Sequence, residues 1–222
     1  MLTRPANKGS GGKFMKCHLC KDNPCYNGTP CRETESIPLY ADPVDLKILT
    51  EAGNVEALFY KQACRVDETI EFARRMGFKK LGIAFCLGLI KEANILGEIL
   101  AKDFDVHSVC CKVGGIGKSV FGMARRPWVG EPTCNPVEQA RILNDEGTEF
   151  NIVLGLCVGH DSLFYKHSAA PVTTLVVKDR KLGHNPVAAL YCPYIRSDLG
   201  EPLIERPLES GSTTVVDHFQ KK

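Results

Sequence analysis

The stretch Lys79–Leu89, KKLGIAFCLGL, decides the fold. After its two lysines it is apolar or small at every position rather than at every second one. A strand of that kind has no solvated face, as in a parallel sheet covered on both sides. Three further runs repeat the pattern: HSVCCKV (His107–Val113), NIVLGLCVG (Asn151–Gly159) and PVTTLVV (Pro171–Val177). Between them, KEANILGEILAKD (Lys91–Asp103) and NPVEQARILNDE (Asn135–Glu146) space their apolar residues at helical intervals. Strand and helix alternate, so the expected class is α/β. The expected architecture is a Rossmann-like, doubly wound, mainly parallel sheet of about four to five strands.

Upstream the pattern changes. VDLKILTEAGN (Val44–Asn54), VEALFYKQACR (Val55–Arg65) and VDETIEFARRMGF (Val66–Phe78) read as three helices, the last starting near Asp67 and ending at Gly77. They form a small helical layer. Before the Pro38–Pro43 linker, CHLCKDNPCYNGTPC (Cys17–Cys31) has almost no apolar periodicity and is punctuated by Pro24, Asn27-Gly28 and Pro30. Burial alone cannot fold such a segment. The expected organisation is a disordered leader or expression remnant over 1–14, a four-cysteine metal-binding segment over 15–38, and an α/β domain over 44–222 with an irregular C-terminal tail.

Composition limits the function classes. The 222 residues are 44% hydrophobic and 24% charged, enough to bury a core without covalent staples. Lys and Arg total 28 against 26 Asp and Glu, a net charge of +2, which supplies no basic field for nucleic acid or an anionic membrane. The opening MLTRPANKGSGGKF has Gly, Ser and Lys where a secretory signal needs an apolar core, and no run reaches transmembrane length. A cytoplasmic location is expected. There are 11 cysteines, an odd number, which excludes a fully paired intrachain disulfide set. In a reducing compartment, clustered thiols point to metal or redox chemistry.

Cys17, Cys20, Cys25 and Cys31 form C-x2-C-x4-C-x5-C. Four soft ligands this close converge on one centre only through tight turns, and the Gly, Pro and Asn residues here supply them. The spacing suits either an iron-sulfur cluster or zinc. A second group is Cys86, Cys110 with Cys111, and Cys157, at or near the ends of three expected strands, where a parallel sheet forms its ligand crevice. Cys134 and His184 precede Asn-Pro-Val helix starts, with Asn135 and Asn185 as N-caps, Pro136 and Pro186 in the first turn, and Glu138 placed for a capping box. A thiol at a helix start has its pKa lowered. His160 follows Cys157 by three residues, with Asp161 as a cap or imidazole orienter, while His167 reads as structural. The alternative for this second group is three cysteines that simply fill the core.

The glycine loop VGGIGKS (Val113–Ser119) follows a strand, as phosphate cradles do. Aligning Gly117, Lys118 and Ser119 on a P-loop, however, puts Lys112 where the first glycine belongs. A nucleotide-dependent enzyme using Gly114–Ser119 remains an alternative, as does a zinc-stabilised adaptor without catalysis. There is no G-x-S-x-G elbow, no HExxH helix and no G-x-G-x-x-G fingerprint.

The runs GIAFCLGL, VCCKVGG, CNPVEQARILN, GLCVGHD and GHNPVAALY, with the cysteine-rich N-terminus, resemble the uncharacterised family catalogued as domain of unknown function eighteen forty-seven, found largely in anaerobic archaea and bacteria. The resemblance covers Cys17 to Tyr191. It implies metal binding and no assigned reaction. By position, the N-terminal quartet, Cys86, Cys110, Cys111, Cys134, Cys157 and His160 match the family's recurring thiol and polar positions. The anaerobic setting favours an iron-sulfur cluster over zinc at Cys17/Cys20/Cys25/Cys31. A second metal, cluster or redox-active site is expected at the strand-end thiols. The expected work is electron or sulfur transfer, or metal handling, with a redox or metal-donor partner and neither nucleic acid nor membrane.

Overall fold

The computed structural model describes residues 16–30 and 34–203. The expected leader over 1–14, Cys31, and the tail beyond 203 lie outside the described residues. Helices α1 (Pro43–Phe59) and α2 (Arg65–Met76) lead into strand β1 (Lys80–Phe85). Then follow α3 (Ile90–Leu100), β2 (Asp105–Cys110), α4 (Pro136–Asp145), β3 (Phe150–Leu154), α5 (His160–His167) and β4 (Val172–Val176). Two short helices, α6 (Ala188–Tyr191) and α7 (Pro193–Ser197), close the described chain.

The protein is a mixed α/β molecule, and among the described residues four strands form one all-parallel sheet in the order β2-β1-β3-β4. Pleating sends alternate side chains of β1 to opposite faces. Leu81, Ile83 and Phe85 join Phe150, Ile152 and Leu154 of β3 against Ala73 of α2 and Ala93, Leu96 and Leu100 of α3. Ala84, Cys86, Val109, Cys111 and Val153 instead pack on Ala140 and Leu143 of α4 and Phe164 of α5. Both faces are therefore buried, which explains the unbroken apolar runs. Gly82 is the gap on the second face: a Cβ there would stand 2.0 Å from Asn151 Oδ1. That oxygen accepts from Thr148 Oγ1 at 2.8 Å, and Asn151 Nδ2 donates to Ser168 Oγ at 2.9 Å, so the buried amide is matched.

The chain leaves β1 toward β2 on one side and returns past β1 to β3 on the other. The crossovers diverge between β1 and β3, and a crevice opens at their carboxyl ends. Within it sit the segments after β1, β2 and β3.

Three expected helices upstream of the sheet are in fact two. Gly53-Asn54 does not end the first, because a mid-helix glycine costs only about 1 kcal/mol and continuation buries Val55. The break comes at Tyr60–Ala63, where Lys61 adopts a φ of 59°. Cys64 then caps α2: its N–H donates to the Asp67 carboxylate at 3.0 Å, and its sulfur accepts from the third helical amide. Gly77, with φ 82°, ends α2 where the sequence placed the stop. Asn185 is not the expected N-cap. His184 turns at φ 65° and accepts the Asp179 N–H on Nδ1 at 3.1 Å, so the chain enters α6 through a turn and Val187 holds the cap position.

The described residues form two compact units that divide within α1, between Leu46 and Lys47. In the first, Cys17–Leu19 and Pro24–Asn27 are single 3-10 turns without a buried residue, and Asn23 and Gly28 bend through left-handed conformations at φ 40° and 73°. The second contains the sheet and both cores. No helix among the described residues is long and apolar enough to cross a membrane.

Candidate thiol site at the strand ends

Phe85 of β1 pairs with Cys110 of β2, and the Cys111 N–H donates to the Phe85 carbonyl at 2.8 Å. Cys86 and Cys111 are the next residues on neighbouring strands, with backbones about 4.8 Å apart by strand spacing. Both side chains enter the core beneath α4. The Asn135 N–H donates to the Cys111 carbonyl at 2.8 Å, which brings Cys134 alongside. Asn135 caps α4 as expected, its Oδ1 accepting the Glu138 N–H at 3.2 Å. Glu138 pairs with Arg141 at 2.6 Å instead of closing a capping box. Fully buried Gln139 donates to the carbonyls of Val109 at 2.7 Å and Phe85 at 3.2 Å, tying the two strand ends together.

The thiols form a row. Cys111 packs with Cys86 and Cys134 in one cluster. Its neighbours and its burial drive its pKa far up, so it is the protonated member. Cys86 is held down at about 5, first by the Cys111 thiol, then by the Gly88 N–H and the Lys178 ammonium, against the opposing effect of burial. Cys134 falls to about 4 through Cys111, His160 and Lys112, again against burial. His160 lies near both Cys134 and Cys157, and these two sulfurs raise its pKa to about 10 against the effect of burial. Cys157 is lowered by His160 and then by Arg180.

A basic side chain stands at each outer thiol. Lys112 Nζ is 3.5 Å from Cys134 Sγ, Arg180 Nη2 is 3.0 Å from Cys157 Sγ, and Lys178 serves Cys86. Gly155, at φ 71°, leaves room for Leu89 in the turn after β1: a Cβ there would meet Leu89 Cδ1 at 2.1 Å, with Lys178 Cδ in ordinary contact at 3.8 Å. The turn after β1 adds backbone donors, with Leu87 N–H 3.3 Å from Cys111 Sγ. His160 Nδ1 is buried and has no partner in good hydrogen-bonding geometry among the described residues.

The structure thus brings together Cys86, Cys111, Cys134, Cys157 and His160. Cys110 alternates away from Cys111; its sulfur accepts the Lys112 N–H at 3.4 Å and it packs against the α3 side of the sheet as well as the α4 side. His184 is committed to its turn, and Asp161 accepts the Gly159 and Ser162 N–H groups at 2.9 and 2.7 Å rather than orienting the imidazole. At the N-terminus Cys17, Cys20 and Cys25 are exposed. Among the described residues no three His, Cys, Asp or Glu side chains are placed to hold one metal ion. The strand-end donors are chemically suited to iron or zinc, yet their contacts run pairwise along a row instead of around a point.

The glycine loop is engaged with itself. Lys118 is buried and its Nζ donates to the Gly130 carbonyl. Glu131 takes the Ser119 amide and hydroxyl and pairs with Arg125 at 2.6 Å. A carboxylate sits where a phosphate would need those donors.

Lys112, Gln139, Lys178 and Arg180 stand at the thiol row, and the sequence reading placed none of them there. The available signals were a lysine directly after the Cys110-Cys111 pair and the basic VVKDRK segment beyond the last strand.

Fold and site together define a parallel α/β protein with a row of thiols at its strand ends. The chain belongs to the family described as Protein of unknown function (DUF1847), whose sequence profile matches residues 27–175. It is 47% identical over 191 residues to an uncharacterized protein of Methanocaldococcus jannaschii, covering 84% of this chain and 99% of that one. No solved structure matches it.

Proposed function

We propose that this is a cytoplasmic thiol protein of Rossmann-like, doubly wound architecture, whose strand-end row carries out electron or sulfur transfer by thiol-disulfide chemistry. One observation carries the reading: a basic side chain faces each outer thiol, Lys112 at 3.5 Å from Cys134, Arg180 at 3.0 Å from Cys157 and Lys178 beside Cys86, while Cys111 between Cys86 and Cys134 is buried without one. Ammonium and guanidinium groups stabilise thiolates as nucleophiles and leaving groups. In a metal centre the ion itself would supply that charge, and close cations would compete with it.

The test is a thiol count on full-length protein purified without oxygen, before and after exposure to a small-molecule disulfide, alongside elemental analysis. The expected result is reversible loss of two or more row thiols with the fold retained. A row that stays reduced under excess disulfide, and that holds a stoichiometric metal lost in Cys111→Ser, replaces this reading with a metal site.

A second reading concerns the N-terminal segment. We infer that Cys17, Cys20, Cys25 and Cys31 hold an iron-sulfur cluster or zinc. The support is that the described part of the segment is a series of exposed turns, bent at Asn23 and Gly28, which bury nothing of their own. A ligand is the remaining source of order for such a chain.

A further inference from the structure

We propose that Cys111 is a switching thiol, which forms a disulfide first with Cys134 at the mouth of the row and then passes it to Cys86 in the interior, returning Cys134 to the thiolate state. This rests on the thiol-disulfide reading above and adds an order of events to it.

The placement of the three sulfurs supports that order. Cys111 has a thiol neighbour from each of two segments: Cys86 follows β1 beside it, and the Asn135 N–H, donated to the Cys111 carbonyl at 2.8 Å, holds the adjoining Cys134 near it in the same packed cluster. Cys86 and Cys111 succeed the paired residues Phe85 and Cys110 on adjacent strands, point to the same face, and have backbones separated by about one strand spacing. That separation lies inside the range a disulfide spans. Cys134 is partly exposed, Cys86 is 9% exposed and Cys111 2%, so an external reagent meets Cys134 first and a finished Cys86–Cys111 bond is shielded from it. Gln139 holds the two strand ends through Phe85 and Val109, which keeps the inner pair in register.

The oxidant is a low-molecular-weight disulfide, RS–SR. The Cys134 thiolate attacks one of its sulfurs, forming Cys134–S–S–R and releasing RS⁻. With Cys134 held in the mixed disulfide, the first cause that keeps Cys111 protonated is gone; Cys111 ionises and attacks the Cys134 sulfur, and the RS⁻ released takes up its proton as RSH. The Cys86 thiolate then attacks the Cys111 sulfur, and Cys134 departs as the thiolate, stabilised by Lys112 and His160. In total two electrons pass from Cys86 and Cys111 to RS–SR, giving one buried disulfide, RS⁻ and RSH. Cys134 is then ready for a second mixed disulfide.

Disulfide mapping by mass spectrometry on acid-quenched, full-length protein treated with oxidised glutathione tests this. In the wild type, Cys111–Cys134 should appear early and Cys86–Cys111 should accumulate as the end product. Cys86→Ser should stop at Cys111–Cys134, and Cys134→Ser should slow formation of Cys86–Cys111 at least tenfold. Cys86→Ala, with circular dichroism on every variant, separates loss of chemistry from loss of fold. A wild type that stops at Cys111–Cys134, or a Cys134→Ser variant that forms the inner bond at the normal rate, overturns the switch and leaves the thiol reading standing. A row that forms no disulfide at all overturns both.

Discussion

A thiolate keeps its proton off at neutral pH only where something holds the charge, and at Cys134 three groups do so: the Cys111 thiol, the His160 imidazolium and the Lys112 ammonium. An ordinary thiol, with a pKa of about 8.5, loses nucleophile tenfold for each pH unit below that value. Cys134, held at about 4, keeps its thiolate as the pH falls and loses it only on passing through that value. Its alkylation by iodoacetamide, followed by peptide mass spectrometry, should therefore be nearly flat from neutral pH to about pH 5. Lys112→Ala should move the midpoint upward, and Lys112→Arg should preserve it. A rate that climbs steadily through neutral pH in the wild type would show that Cys134 is an ordinary thiol.

The turns that follow the strands connect packing with this chemistry. Gly155 ends β3 in a left-handed conformation, beside the Leu89 methyl and the stem of Lys178. Alanine there meets two costs, about 1–2 kcal/mol for the conformation and about 1–3 kcal/mol for crowding a packed core. Gly155→Ala should accordingly lower the urea midpoint. Lys178→Ala should make Cys86 less reactive at pH 6, because it removes one of the groups holding its thiolate. Unchanged Cys86 alkylation in that variant would mean that Lys178 has no part in setting that thiol. How much of this the sequence revealed follows from what each signal reports. β1 and β3 were legible because burial on both faces leaves an uninterrupted apolar run, and strand-end cysteines then share a crevice wherever the sheet is parallel. The cations were not legible, since Lys178 and Arg180 reach the crevice only because β4 lies beside β3, a fact of strand order. Lys118 stayed ambiguous for a related reason: in sequence it resembles the lysine of an incomplete phosphate loop, and only the folded loop shows its ammonium bound to the Gly130 carbonyl. The helix boundary at Gly53 was misplaced because a local propensity was weighed without the burial of Val55 that outweighs it.

At the scale of the whole molecule the two compact units differ in what can stabilise them. The unit from Lys47 onward contains two hydrophobic cores on a four-stranded sheet and is self-sufficient on that account. Among the described residues before Pro43, the 3-10 turns bury none of their side chains, and α1 is capped locally by Asp42, whose carboxylate accepts the Val44 and Asp45 N–H groups at 2.8 and 3.1 Å. If Cys17, Cys20, Cys25 and Cys31 hold an ion, as proposed above, removing the ion should release that segment alone. Hydrogen exchange on protein purified without oxygen should show the amides of residues 16–30 protected before chelation and exchanging at unfolded-chain rates afterwards. The amides of β1 and β3 should keep their protection in both states. Cys20→Ser should reproduce the chelated pattern and lower the bound metal by one site's worth. Equal protection of residues 16–30 in a sample shown by elemental analysis to be metal-free would mean that the turns hold themselves, and the quartet would lose its role as a ligand set.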